Sequence, residues 1–188
     1  FGIISNIDKD KDYSFARHAA AVIRAHGSAA IIDSGYDGTL LGSDPNVTKA
    51  QYDECDLLFS IGGDGSFLSA VHNHYAKDIP IIGINLGSIG FLTEIHPDQF
   101  EDALDRILAG QYTIENRIQL DVTVKDKDGR EKGSGVCLND VVIARGYLLH
   151  LLTVDLLIDG DYVERLSGDG VILSTPTGST AYSLAARG

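Results

Sequence analysis

Two kinds of residue are scarce in this chain of 188: cysteine, present only as Cys55 and Cys137, and the basic side chains, 15 against 27 acidic ones. Each shortage excludes something. A net charge of −12 argues against a nucleic-acid or anionic-membrane surface, where basic residues supply most of the attraction. A small anionic ligand is not excluded, because backbone N–H groups and a few local cations can bind one. Two thiols far apart in sequence point to a reducing, cytoplasmic setting. No apolar run is long enough to span a bilayer, and "FGIISNIDKD" is not a secretory signal. Methionine is absent even at position 1, which reads as a trimmed sequence and carries no functional weight. Several signatures are also missing: HExxH, CxxC, GxSxG, the GxGxxG fingerprint and the P-loop with its Lys-Ser/Thr. His72 and His74 are two apart, so a helix points them in different directions. No metal-ligating residue is nominated.

What is present is ordinary for a globular protein, 44% hydrophobic and 22% charged. The first part alternates strands and helices. "FGIIS", "AAIID", "DLLFSI" and "IPIIGIN" read as buried strands. Phe15, Ala19, Val22 and Ile23 share one helical face. "SFLSAVHNH" reads as a helix, and "PDQFEDALDRILAG" places Phe100, Ala103, Leu104, Ile107 and Leu108 on one face between a leading Pro and a closing Gly. Residues 33 to 50 read as a mobile loop. From about residue 111 the period changes to strict alternation. "IQLDVTVKD", "GVCLNDVVIA", "LLTVDLLIDGDYVERL" and "GVILST" read as strands, with "KDGRE" and "IDGDY" as turns. An α/β domain at 1–110 followed by a β-rich domain at 111–188 is the expectation.

Four segments carry the chemistry. In "IGGDGS", Gly62, Gly63 and Gly65 let a ligand approach the backbone. The turn follows a buried strand, where open α/β sheets bind ligands. Yet Asp64 stands inside it, where a negative charge repels phosphate; the plain alternative is an Asp N-cap. "INLGSIGFLTEI" offers a second flexible turn after the next strand, or simply a loop with Phe91 and Leu92 packing. "LNDVVIA" sets Asn139 and Asp140 at a strand head, either as a cap or as an amide–carboxylate pair for a base edge or ribose. In "GDGVILSTPTGSTAYSLAARG", Thr175, Thr177, Ser179 and Thr180 surround Pro176 and Gly178, more hydroxyls than one helix cap requires. Asp169, in a second "GDG", is a further acceptor.

In order along the chain, "GGDGSFL", "INLGSIGFLTE", "LNDVVI" and "DGVILSTPTGSTAYSLA" resemble the NAD kinase family, which phosphorylates the 2′-hydroxyl of NAD's adenosine ribose. The resemblance implies a phosphofructokinase-like α/β domain and a β-sandwich-like second domain. It implies ATP or polyphosphate as donor, a divalent metal (Mg2+) with the ATP, NAD as acceptor, and homodimers or homotetramers. Asp64 matches the catalytic acid. Gly62, Gly63, Gly65 and Phe91 fall in the nucleotide crevice. Asn139 and Asp140 match the pair that contacts NAD, and Asp169 an acid near the nicotinamide. His150 stands where many members place a polar contact. Thr180, Ala181, Tyr182, Ser183, Leu184 and Ala185 match the segment that wraps the nucleotide. There are departures: Ser66 where Thr is usual, Ser167 where some members carry Lys, and "SLAARG" for "SLSAGG". Members continue past the equivalent of Gly188, so a C-terminally truncated chain is expected. A non-catalytic NAD(P)-binding fragment and a related sugar or lipid kinase are the alternatives.

Overall fold

The computed structural model of the chain describes residues 1–33, 52, 54–74, 78–87, 90–146 and 150–188, with backbone alone at 73–74. The chain divides into two compact units, Phe1–Glu115 and Asn116–Gly188. The loop expected at 33–50 lies, beyond Asp33, outside the described residues.

In the first unit four short strands form one parallel sheet: β1 (Gly2–Ser5), β2 (Ile31–Asp33), β3 (Leu58–Gly62) and β4 (Ile81–Asn85). Their spatial order is β2-β1-β3-β4. Helices α1 (Ser14–Ala25), α2 (Asp64–His74) and α3 (Phe100–Leu108) accompany them. The strands are apolar nearly throughout because both faces of the sheet are covered. On one face Ile3, Phe59, Ile61 and Ile84 meet Ala16, Ala19 and Ile23 of α1 and Phe100 and Leu104 of α3. On the other, Ile4 and Leu58 meet Tyr52 and Ala70 of α2. Neighbouring strand residues point to opposite faces, so Ile3 and Ile4 serve different clusters. Each fully buried Ile, Leu or Phe contributes roughly 1.5–3 kcal/mol. Leu108 departs from the expected helix face. At the last position of α3 it is 43% exposed, beyond the reach of the sheet.

The strand order reverses direction between β1 and β3. In open α/β sheets that reversal opens a crevice at the carboxyl ends of the strands. The loops at residues 6 to 10 and 62 to 65 leave the sheet there.

The second unit is antiparallel throughout. β5 (Leu120–Lys125) pairs with β6 (Glu131–Cys137), β7 (Asp140–Ala144) with β10 (Gly170–Ser174), and β8 (Leu152–Ile158) with β9 (Asp161–Gly168). The β8–β9 turn has Asp159 at φ 53° and Gly160 at φ 91°, the signature of a two-residue type I′ hairpin. "GVCLNDVVIA", expected as one strand, is two, broken at Leu138 and Asn139 where backbone bonds go to Thr175 instead. After β10 come a 3-10 turn (Gly178–Thr180) and the one-turn helix α4 (Tyr182–Ala185). No described helix is long and apolar enough to cross a membrane.

Candidate functional site

The glycine turn passes from β3 to α2 through a single residue, Gly63. Gly62 has φ 153°, a conformation that favours glycine. A Cβ there would overlap Ser66 Oγ and stand 3.2 Å from Asn6 Cβ. The Gly62 carbonyl accepts the Leu86 N–H at 3.0 Å, which ties the turn to the chain leaving β4. Gly65 is exposed and has open space around it.

Asp64 opens α2, but its side chain does not cap its own helix. It reaches across to the segment beyond β4. Oδ2 accepts the Phe91 N–H at 2.7 Å, and Oδ1 accepts the Leu92 N–H at 3.0 Å and the Thr93 hydroxyl at 3.3 Å. A carboxylate offers about four lone-pair sites. Three are occupied, so one acceptor direction remains, on Oδ2. Gly90 is needed for this arrangement, because a Cβ there would overlap Asp64 Oδ1. The two glycine turns therefore meet, joined through the carboxylate. Phe91 contributes its N–H, while its ring is 71% exposed. Asn85, buried at the end of β4, accepts the Gly87 N–H at 2.8 Å and shapes the start of that segment.

Sequence reasoning missed three participants here: Asn6, Lys9 and Thr93. Asn6 Nδ2 donates to Ser66 Oγ at 3.1 Å. The hydroxyl kept at Ser66 is thus used to join the β1 loop to α2. Only the strand order places Asn6 and Lys9 beside the turn, and no local signal carries that order. Thr93 lay within the quoted "FLTE", unremarked because its partner is 29 residues away.

The second group of expected residues lies in the second unit. Asp140 begins β7, and Asn139 precedes it. The side-chain atoms Asn139 Oδ1 and Asp140 Oδ1 are buried without a hydrogen-bond partner among the described residues. Such orphaned acceptors are costly unless a ligand or water completes them, so this pair fits a bound group with N–H or O–H donors. Its backbone is firmly held. The Asn139 carbonyl accepts the Thr175 N–H at 2.9 Å. Buried Thr175 donates its hydroxyl to the Leu138 carbonyl and accepts the Gly178 N–H at 3.0 Å. Gly178 lies so close that a Cβ would overlap the Asn139 backbone.

The hydroxyl cluster is largely spent on this scaffold. Thr175 is engaged as described, Ser179 donates to the Pro176 carbonyl at 2.8 Å, and Thr177 accepts from Arg117 at 3.2 Å. Thr180 alone of the four has no such bond among the described residues. Ala181, Tyr182, Leu184 and Ala185 are exposed and Ser183 is half-buried. Asp169 is exposed and paired with Arg145 Nε at 2.9 Å. The register sets Gly170 opposite Ala144 and Ser174 opposite Asp140, so Asp169 and the Asn139–Asp140 pair occupy opposite ends of the β7–β10 ladder. His150 is exposed, just before β8. His72 is exposed and the His74 side chain lies outside the described set. Burial pushes the Cys55 and Cys137 thiols up, away from the reactive thiolate. Among the described residues no three His, Cys, Asp or Glu side chains group as a metal site would need.

With this geometry in place, comparison with known proteins is decisive. Residues 1–112 match the ATP-NAD kinase N-terminal domain and residues 138–188 the ATP-NAD kinase C-terminal domain. The chain belongs to the NAD kinase family. It is similar over its whole length to the NAD kinases of Ruminiclostridium cellulolyticum, at 38% identity, and Acetivibrio thermocellus, at 37%. It spans 65% of the length of each. Among solved structures it resembles yeast NADH kinase complexed with NADH, with TM-score 0.83 and 26% identity, covering all of this chain and 61% of that one. It also shares the fold of an Archaeoglobus fulgidus NAD kinase in complex with ATP, with TM-score 0.73 and 23% identity, covering all of this chain and 65% of that one. The parallel α/β first half and antiparallel strand-rich second half expected for the family are both present.

Proposed function

We propose that the protein to which this chain belongs is an NAD kinase, transferring a phosphoryl group from ATP or polyphosphate to the adenosine-ribose 2′-hydroxyl of NAD. The observation that carries this is Asp64: a carboxylate fixed by three hydrogen bonds at the crevice edge of a parallel sheet, with one acceptor direction left. A hydroxyl is a poor nucleophile while it holds its proton. Asp64 Oδ2 accepts that proton as the ribose oxygen bonds to the terminal phosphorus and the bond to the departing phosphate breaks. Fixing the carboxylate beforehand removes the cost of orienting it during the reaction. A divalent cation carried with the donor supplies charge neutralisation at the phosphates.

Asn139 and Asp140 hold the acceptor, their orphaned oxygens taking hydrogen bonds from the nucleotide. Asp169 lies five residues along the ladder from the position opposite Asp140, about 17 Å at the usual strand rise, a spacing suited to two ends of a dinucleotide. The exposed Phe91 ring offers a stacking face. Residues 180 to 185 wrap the nucleotide, and His150 adds a polar contact. Assembly into homodimers or homotetramers belongs to the same reading, supported by exposed Leu157, Ile158, Tyr162 and Val163 in the second unit. So does a cytoplasmic setting, supported by the two free cysteines.

The test is direct. The chain is incubated with NAD, ATP and Mg2+, and NADP formation is followed. NADP supports the kinase reading. Because the chain spans 65% of its relatives, a second reading is a non-catalytic NAD(P)-binding segment. NAD binding by calorimetry without NADP formation favours that one.

A further inference from the structure

The loop at residues 6 to 10 leaves β1, the strand beside β3, at the same edge as the glycine turn. It is tightly held. Buried Asp10 accepts the Phe15 and Ala16 N–H groups at 2.9 and 3.0 Å and the Ser5 hydroxyl at 2.8 Å. The Lys9 and Asp10 N–H groups both donate to the Asn6 carbonyl, at 3.0 and 2.7 Å. Asn6 Nδ2 reaches Ser66 in the first turn of α2. Lys9 therefore stands on a fixed platform, and its side chain crosses the glycine turn. A Cβ built on Gly63 would lie 2.5 Å from Lys9 Nζ. The absence of a side chain at Gly63 leaves room for the ammonium over the turn.

Among the described residues no carboxylate pairs with Lys9, in a chain with 27 acidic residues. A cation lies against the loop that carries Asp64, with no counter-ion among the described residues. The geometry points to Lys9 as the residue that binds the phosphates of the donor, its ammonium meeting the terminal phosphates of a triphosphate or polyphosphate chain at the Gly63 turn. This rests on the phosphotransferase reading above and adds a donor-binding residue to it. The ammonium offsets the repulsion that Asp64 exerts on a donor phosphate. A compact, strongly hydrated point charge suits a flexible phosphate chain. ATP and inorganic polyphosphate share that chemistry.

The probe is inorganic tripolyphosphate, titrated calorimetrically into the chain and into Lys9→Gln, Lys9→Arg and Lys127→Gln. Loss of a charge-assisted contact predicts weakening by about tenfold or more for Lys9→Gln. Lys9→Arg recovers most of the affinity. Lys127→Gln, an exposed lysine of the second unit, leaves it unchanged and controls for net charge. In turnover, Lys9→Gln raises KM for ATP with KM for NAD unchanged, and a polyphosphate arm shows whether both donors use the residue. No tripolyphosphate binding by the parent chain, equal binding by Lys9→Gln, or a change in KM for NAD alone overturns the proposal. If tripolyphosphate binds through Lys9 but no NADP forms, the kinase reading fails and the phosphate contact stands. If NADP forms and Lys9→Gln changes neither constant, the reverse holds.

Discussion

The two halves of this chain hold their candidate functional residues by different physics. In the first unit a parallel sheet is buried on both faces, and nearly every fully buried apolar side chain belongs to it. Asp64 extends from that core on a turn with no freedom at Gly62. In the second unit three separate two-stranded ladders leave Ile118, Leu151, Leu157, Ile158 and Tyr162 exposed. There the Asn139–Asp140 pair is positioned by one buried hydroxyl, Thr175, and by one close glycine, Gly178. In the first unit packing fixes the strands, and three hydrogen bonds fix the Asp64 carboxylate beyond them. In the second, hydrogen bonds fix the backbone of the pair while one side-chain oxygen of each residue has no partner among the described residues. Substitutions should separate chemistry from binding along that division.

The largest effect is expected at Asp64. Asp64→Asn should lower kcat by a factor on the order of 100 or more, the scale of a positioned general base. An amide nitrogen cannot accept the bond that one carboxylate oxygen now takes, so some thermal stability should go with it. Asn139→Ala should instead weaken NAD binding by roughly tenfold while kcat at saturation changes little. Steady-state kinetics on the two variants checks the division. A kcat loss at Asn139 equal to that at Asp64 would erase it.

Within the glycine turn the contrast is sharper still. Gly62→Ala meets both a positive φ and the Ser66 side chain, and should cost about 1–3 kcal/mol. Gly65→Ala, three residues on, meets open space and should be close to neutral. Denaturant melts of the pair give the answer, and equal stability would mean that the turn is not fixed as described.

These positions also show what the sequence could reveal. The alternation of strands and helices was legible because two-sided burial leaves continuous apolar runs such as "LLFSI". The β8–β9 hairpin was legible because Asp-Gly demands positive φ. That the Asp64 of "GGDG" could be more than a helix cap was legible in its odd placement, and its bonds to residues 91 to 93 agree. The carboxylate's partners were not, since Phe91, Leu92 and Thr93 reach it only when β4 lies beside β3. Lys9 and Asn6 were hidden for the same reason. The hydroxyls around Pro176 misled in a different way. Their number suggested ligand contacts, but three of the four serve the local scaffold, which spacing alone cannot distinguish.

In the second unit, Thr175→Val removes the donor to Leu138 and the acceptor for Gly178 while keeping the shape. Leaving those buried groups unpaired should cost about 1–3 kcal/mol. NAD affinity should fall as well, because the Asn139 backbone loses its anchor. Asn139→Ala, whose side-chain oxygen has no partner among the described residues, should leave the melting temperature nearly unchanged. Melting both variants alongside an NAD titration tests whether scaffold and contact are separate, as the hydrogen bonds indicate.

The smallest effect concerns the β8–β9 ladder, where Arg165 grips Asp155 with Nε and Nη2 at 2.7 and 2.9 Å. Hydrogen bonds from Arg165, with its charge, hold the Asp155 carboxyl below its usual range despite a little desolvation. A carboxyl with a lowered pKa in the folded state adds stability above its unfolded pKa, and that contribution is lost as pH falls through the lower folded value. The window therefore opens below about pH 4, the ordinary carboxylate value. Both side chains are solvent-exposed, so salt should screen the pair and the gain should be small. Arg165→Gln should lower the melting temperature slightly at pH 7 and flatten its acid dependence below pH ~4, and high salt should reduce the difference between variant and parent. A variant that melts with an undiminished acid slope would show that this ladder, unlike the buried sheet of the first unit, draws nothing from its one bidentate ion pair.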